Sequence, residues 1–229
     1  MSRDVRTTLS VIEDYLGPFE GRRILDVGCG HGALARALAK RGAKVTGIDP
    51  QAEAVAAARA AVPDATFETS GAESLPYADG AFDAVVILNA LHHVPGPLMD
   101  RALGEAARVS AGPLLVIEPL AEGSFFAAVR LVDDETQIRA EAQAAIAAAL
   151  AAGRLRLSAE IEYDDRRAFP STAAFLARVV EVDPARAAIA EREADSVAAI
   201  IREVGEPNGE GFTLLQPHRA HLLRAASAS

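Results

Sequence analysis

Three features of the sequence predict a doubly wound α/β fold. Short β-branched runs alternate with alanine-rich stretches at helical spacing. Two of those runs, Val85-Val86-Ile87-Leu88 and Leu114-Leu115-Val116-Ile117, are apolar on both faces, as strands of a parallel sheet are when helices cover both sides. A glycine-rich turn joins the first run to the first helix, the connection that such sheets use to approach a ligand.

The elements follow in order. Ile24-Leu25-Asp26-Val27 is the first strand, and Leu34 and Leu38 mark a helix that runs to Lys40. Gly42 stops that helix, residues 44–49 form a second strand, and Pro50 opens another alanine-rich helix to about residue 62. Residues 66–69, 82–88 and 114–118 are the third to fifth strands, with a helix initiated at Pro97 between the last two. Ile138, Ala142, Ile146 and Leu150 put one apolar face on a helix over 136–152, ended by Gly153. Residues 155–163 alternate as a strand with unlike faces near the sheet edge, and 212–223 pair with it antiparallel, Pro217 marking a bulge or edge. Between these partners, 171–204 read as two helices divided near Asp183-Pro184, an excursion that either covers a binding pocket or adds core.

The chain has 229 residues, 50% of them hydrophobic and 24% charged, which fits a single globular domain over 1–229 with helical cap or insertion segments at 120–153 and 170–206. Its 23 basic against 32 acidic residues give a net charge of -9, which opposes a nucleic-acid partner. Cys29 stands alone, so neither an intrachain disulfide nor a cysteine-rich zinc site is available; no metal is expected, and a reducing cytoplasm fits. No apolar run reaches the roughly 18 residues that span a bilayer. Arg3, Asp4 and Arg6 occupy the place of a signal-peptide core, so no membrane or export signal is read.

The chemistry concentrates in Asp26-Val27-Gly28-Cys29-Gly30-His31-Gly32, where glycines at alternate positions let a ligand approach the backbone as strand passes into helix. The spacing is one residue shorter than the G-x-G-x-x-G of dinucleotide folds and tilts against NAD. Asp49 falls at the carboxyl end of the second strand, where an ionised carboxylate can accept from both hydroxyls of a ribose; its other reading is a helix N-cap before Pro50.

With these motifs the chain resembles the class I S-adenosylmethionine-dependent methyltransferases, in particular the small-molecule group. The resemblance covers residues 22–119 and is carried by Ile24 to Gly32, Val45 to Pro50, Ser70-Gly71-Ala72-Glu73-Ser74-Leu75-Pro76, Phe82-Asp83-Ala84-Val85 and Asn89-Ala90-Leu91-His92-His93-Val94. Beyond residue 120 it thins to architecture. It implies a Rossmann-like seven-stranded sheet, mostly parallel and closed by an antiparallel C-terminal hairpin, here with a helical insertion between the last two strands. It also implies S-adenosyl-L-methionine as cofactor and a small-molecule acceptor.

Carried over residue by residue, the resemblance places Gly28, Gly30 and Gly32 against the methionine portion of the cofactor, with Asp26 bracing the loop and Cys29 a small loop residue and not a nucleophile. Asp49 holds the ribose, Pro50 or its neighbour lies near the adenine, Ala72 and Glu73 meet the adenine edge through backbone or side chain, and Asn89 offers its backbone carbonyl to the methionine ammonium. Asp83 is read as structural. Methyl transfer depends chiefly on positioning, so no triad is expected; where an acceptor must lose a proton, His93 is preferred over His92 as base, with Glu118 a further candidate. An NAD-dependent oxidoreductase is the reading from another class, disfavoured by the glycine spacing and by the lack of a Tyr-x-x-x-Lys pair; a domain that binds the cofactor without turnover is a third.

The remaining polar features have plainer readings. Asp133-Asp134-Glu135 is a capping cluster before a helix. Arg154, Arg156, Arg166 and Arg167 flank one strand and either greet an anionic acceptor or solvate an edge. His218 and His221 are three apart on a strand, hence on opposite faces, and make no metal pair. Val5, Leu9, Ile12 and Leu16 share one helical face that packs either over the cofactor entrance or into the core.

Overall fold

The computed structural model describes residues 3–209 and 211–226. Among them all seven expected strands form: β2 (Arg23–Val27), β3 (Lys44–Asp49), β4 (Thr66–Thr69), β5 (Ala84–Leu88), β6 (Leu114–Pro119), β7 (Leu155–Phe169) and β9 (Gly211–Ala225). Two short ones join them, β1 (Asp4–Val5) and β8 (Glu206–Asn208). The helices are α1 (Thr8–Leu16), α2 (Ala33–Ala39), α3 (Ala52–Ala61), α4 (Gly96–Val109), α5 (Gly123–Val129), α6 (Thr136–Ala151), α7 (Thr172–Val182), α8 (Ala187–Arg192) and α9 (Ala194–Val204).

The chain divides into two compact units. The sheet unit holds residues 8–118, 141–161 and 219–226; the helical unit holds 3–7, 119–140 and 162–218.

In the sheet unit the strands run in the order β7-β9-β6-β5-β2-β3-β4. Pairs β2 with β3, β3 with β4, β2 with β5, and β5 with β6 are all parallel, in the register Val27↔Ile48, Asp49↔Thr69, Val27↔Ile87 and Leu88↔Ile117. Apolar burial accounts for the central strands: Ile24, Leu25, Val85, Val86, Leu115 and Val116 have no exposed surface, so both faces of the sheet are covered. From β2 the chain moves outward through β3 to β4, then returns to place β5 on the other side of β2. The direction of winding therefore switches between β2 and β5, and in open α/β sheets ligands bind outside the carboxyl ends of the strands at such a switch. Asp83 accepts from the Arg23 backbone N–H (2.9 Å) and from its guanidinium (2.7 Å), the structural role expected of it. α1 buries Val11, Ile12 and Leu16, whereas Val5 is 54% exposed in β1 and outside the helical stripe the spacing suggested.

The helical unit packs α5, α7, α8 and α9 around Phe126, Phe175, Val197, Ile201 and Leu214. Its local details correct several expectations. The span over 171–204 is three helices and a 3₁₀ turn at Pro184–Arg186, whose start is capped by Asp183 accepting from Ala185 N–H. β7 continues to Phe169, six residues past the expected end, because Asp164, Asp165, Arg166 and Arg167 hide the alternation on a strand whose outer neighbour is only the two-residue β1. Pro217 is not at an edge: β9 has β7 on one side and β6 on the other. The ladder is already interrupted nearby, where Leu215 N–H donates to Ser124 Oγ (2.8 Å) in α5.

Of the arginines expected to flank β7, Arg154, Arg166 and Arg167 are ion-paired, the last two from within the strand itself, and Arg167 also lies over the Phe125 ring, 5.0 Å from its centroid. In the helical unit Arg166 meets Glu206 (2.6 Å) and Arg167 meets Asp165 (3.5 Å); in the sheet unit Arg154 meets Asp100 (2.5 Å). Asp134 accepts from Thr136 N–H (3.1 Å) and caps α6, while Glu135 pairs with Arg139 (2.7 Å). His218 stacks on Tyr163, and in the other unit His221 pairs with Glu160 (3.0 Å), so the two histidines serve separate neighbourhoods. No helix among the described residues is long and apolar enough to cross a membrane.

Candidate active site

Every residue singled out for the cofactor lies in the sheet unit, at or just beyond the carboxyl ends of its parallel strands. The loop after β2 is shaped by three positive φ angles, at Gly28 (77°), Gly30 (50°) and Gly32 (79°). Their reasons for being glycine differ. A side chain on Gly28 would lie 2.3 Å from the Ala90 Cβ, so Gly28 lets the loops after β2 and β5 touch at the switch point. One on Gly32 would crowd Ala58, Phe67 and Val62 at 3.2–3.3 Å, so Gly32 lets the start of α2 pack closely. One on Gly30 would meet nothing within 4 Å. Gly30 alone of the three faces open space.

Asp49 ties this loop to β3. It is 8% exposed, accepts from Gly30 N–H at 3.0 Å and from Gln51 N–H at 2.9 Å, and so uses one acceptor direction on each oxygen. The N-cap of α3 is Gln51, so the alternative reading of Asp49 as that cap does not hold. Gly28 and Cys29 both donate to Ile48 O, at 2.8 and 2.9 Å, which fixes the loop against the end of β3.

Asp26 is buried beneath the loop. Burial pushes its carboxyl up to about 7, with the charge of Asp49 adding to the shift, while the Ala35 N–H in the first turn of α2 works against it. Its Oδ2 has no hydrogen-bond partner among the described residues. A buried oxygen left this way is a reason to expect a ligand, ion or water nearby. Cys29 is also buried; burial, then Asp26 and Asp49, push its thiol up to about 12, so it is not a nucleophile near neutral pH.

The other wall is formed by residues 70–76 and 89–93. Ser70 N–H donates to Asp49 O (3.1 Å), and Ala72 and Glu73 follow, half-buried, with the Glu73 carboxylate folded back over Gly71. Pro50, next to Asp49 in sequence, is exposed. Sequence reasoning missed what holds this wall. Arg108 on α4 donates to Leu75 O (3.1 Å), Tyr77 O (2.7 Å) and Asp79 (2.8 Å), while Glu105 accepts from Leu75 N–H (2.9 Å) and pairs with Arg108 (2.7 Å). That bonding holds the Glu105 carboxyl down at about 2. Only the i,i+3 spacing of Glu105 and Arg108 was visible beforehand, and it suggests no more than a surface pair. Arg108→Ala is expected to release two carbonyls of the wall and to weaken binding of an adenine-containing ligand by about 1 kcal/mol, roughly fivefold. Calorimetry on the folded variant checks this.

Asn89 has φ 51°, the one positive value at a non-glycine among the described residues. Such a conformation persists where surrounding structure enforces it, commonly at functional positions. Glu118 supplies the enforcement. It is fully buried and accepts from Ala90 N–H (3.0 Å) and Leu91 N–H (2.8 Å) on one oxygen, with His92 Nδ1 2.5 Å from the other. These bonds occupy it, so Glu118 is not a base facing an acceptor. His92 is buried against it, whereas His93 is exposed, its ring centroid 4.0 Å from that of His92.

Comparison with known proteins follows the same segments. Residues 24–111 match the family model described as a methyltransferase domain. Among curated proteins, the ubiquinone biosynthesis O-methyltransferase of Alkalilimnicola ehrlichii is 46% identical over 94 residues, 39% of this chain and 38% of its own length. The enzyme of that name from Paracidovorax citrulli is 43% identical over 90 residues, 37% and 38% of the two chains. The chain thus spans under two fifths of the curated relatives it matches. The crystal structure of the YcgJ protein from Bacillus subtilis superposes with a TM-score of 0.63 at 20% identity, covering 94% of this chain and 97% of the other, which establishes the shared fold.

Proposed function

We propose, from the premise that this chain carries a methyltransferase domain on the class I S-adenosylmethionine-dependent methyltransferase fold, that it transfers a methyl group to a small organic acceptor. The observation that carries the reading is the open space that Gly30 faces at the switch point, on a loop whose N–H is held by the Asp49 carboxylate. The residues present fit S-adenosyl-L-methionine. Asp49 retains acceptor capacity for ribose hydroxyls, and Asp26 keeps a buried oxygen without a hydrogen-bond partner among the described residues. Gly28, Gly30 and Gly32 offer backbone to the methionine portion, and Asn89 offers its carbonyl to the ammonium. Pro50, Ala72 and Glu73 border the adenine.

When bound, the cofactor supplies a methyl group already activated on a sulfonium, with a neutral thioether as leaving group. The protein's task is then alignment. Holding nucleophile and electrophile in line is worth effective molarities on the order of 10⁵ to 10⁸ M. Alignment here is a property of rigid backbone: Asp49 fixes Gly30, Gly28 abuts Ala90, and Glu118 fixes Ala90 and Leu91.

His93 is the proposed base for acceptors that must lose a proton, because it is exposed while its neighbour His92 is committed to Glu118. A histidine base works only when neutral, so His93→Gln is expected to lower kcat/KM by about 10²- to 10⁴-fold. It should also flatten the rise of rate from acidic to neutral pH while sparing affinity for S-adenosylhomocysteine. An unchanged profile would leave alignment alone as the account.

The curated relatives' name, an O-methyltransferase, makes hydroxyl-bearing acceptors the first class to test. Transfer of label from methyl-labelled S-adenosylmethionine to one of a series of phenols and aliphatic alcohols is the expected result. If hydroxyl, amine and thiol acceptors all remain unlabelled while the cofactor binds, the reading becomes that of a binding domain without turnover.

A further inference from the structure

We propose that Glu118 is a positioning residue for the amino-acid end of the cofactor, a role that rests on the function proposed above. The turn at Asn89 has a positive φ of 51°. It is held from β6, by one carboxylate that takes the next two backbone amides, Ala90 and Leu91, on a single oxygen and engages His92 Nδ1 with the other. Asn89 is tied to the same strand by its N–H, which donates to Ile117 O at 2.9 Å. Ala90, held between, is the residue whose Cβ occupies the space above Gly28.

Glu118 therefore sets the height of the loop after β5 against the loop after β2, and with it the direction of the Asn89 carbonyl. A fully buried carboxylate is costly unless hydrogen-bonded, and these three partners offset that cost. Because His92 packs against His93, the same carboxylate also fixes the backbone from which the proposed base projects. Glu118 touches neither cofactor nor acceptor in this scheme and acts through residues 89–93.

The test is calorimetric titration of the full chain with two ligands, S-adenosylhomocysteine and 5′-methylthioadenosine, which shares the nucleoside and thioether but lacks the amino-acid portion. In Glu118→Ala the Kd for S-adenosylhomocysteine is expected to rise about tenfold or more, with that for methylthioadenosine changing by less than about threefold. Glu118→Gln keeps an oxygen for both amides and is expected to restore both affinities to within about threefold. Should Glu118→Ala not fold, Glu118→Asp keeps the charge and withdraws it by one methylene; the same selective loss is expected, about three- to tenfold. An equal loss for both ligands, or no loss for either, overturns the assignment. Failure of the unaltered chain to bind S-adenosylhomocysteine overturns the proposed function itself and the assignment with it.

Discussion

Asp49→Ala is expected to weaken binding of S-adenosylhomocysteine by about 1.5 to 3 kcal/mol, roughly ten- to 150-fold. Two losses combine. The ribose hydroxyls lose a charged acceptor, and Gly30 N–H loses the partner that holds the glycine loop in place. The second loss distinguishes this site from a simple hydrogen-bonding pocket: the Asp49 carboxylate is at once the proposed ligand contact and the peg for its neighbouring wall. Asp49→Asn retains one carbonyl oxygen and is expected to fall between the two. Calorimetry on variants whose melting temperatures stay near that of the unaltered chain checks the order. Unchanged affinity in Asp49→Ala would remove Asp49 from the site.

The second large effect is a contrast between two glycines separated by a single residue. Gly30→Val is expected to abolish detectable binding while the fold survives at a cost of about 1 to 2 kcal/mol, because the new side chain enters open space and only the positive φ resists it. Gly28→Val is expected to cost about 2 to 5 kcal/mol of stability, since its Cβ would collide with that of Ala90 and force two loops apart. Denaturant unfolding beside ligand titration separates the two outcomes. If Gly30→Val binds normally, the space beside Gly30 is not where the ligand goes; if Gly28→Val is as stable as the unaltered chain, the Ala90 contact does not set the loop spacing.

The glycine contrast also shows what a sequence can and cannot reveal. The spacing of Gly28, Gly30 and Gly32 made the loop legible as a ligand turn, yet it presented three equivalent positions, and only the neighbours in space separate one open glycine from two packed ones. The same division runs through the fold. Strands β5 and β6 were legible because burial on both faces leaves unbroken apolar runs, whereas β2 and β3 were placed by the glycines and the proline that follow or precede them. The polar half of β7 and the two- and three-residue strands β1 and β8 carry no such pattern, being short or near an edge. Helices α7 to α9 were legible as two helices divided at Asp183-Pro184 but not as three, because the second break, at Glu193 between α8 and α9, carries no proline or glycine. The bonding of Glu118, named from sequence only as a candidate base, and of the pair Glu105 with Arg108 was hidden for a different reason: each acts on backbone far away in sequence, which no local pattern records.

The central claim is that the open space at Gly30 and Asp49, outside the carboxyl ends of β2 and β3, is built to hold an adenosyl thioether. A crystal structure of the chain with S-adenosylhomocysteine tests it most directly. The account predicts the ribose hydroxyls on Asp49, the thioether chain over Gly28 to Gly30 and the amino group at the Asn89 carbonyl. Ligand bound elsewhere, or that space filled by the protein's own side chains at saturating ligand, would contradict it.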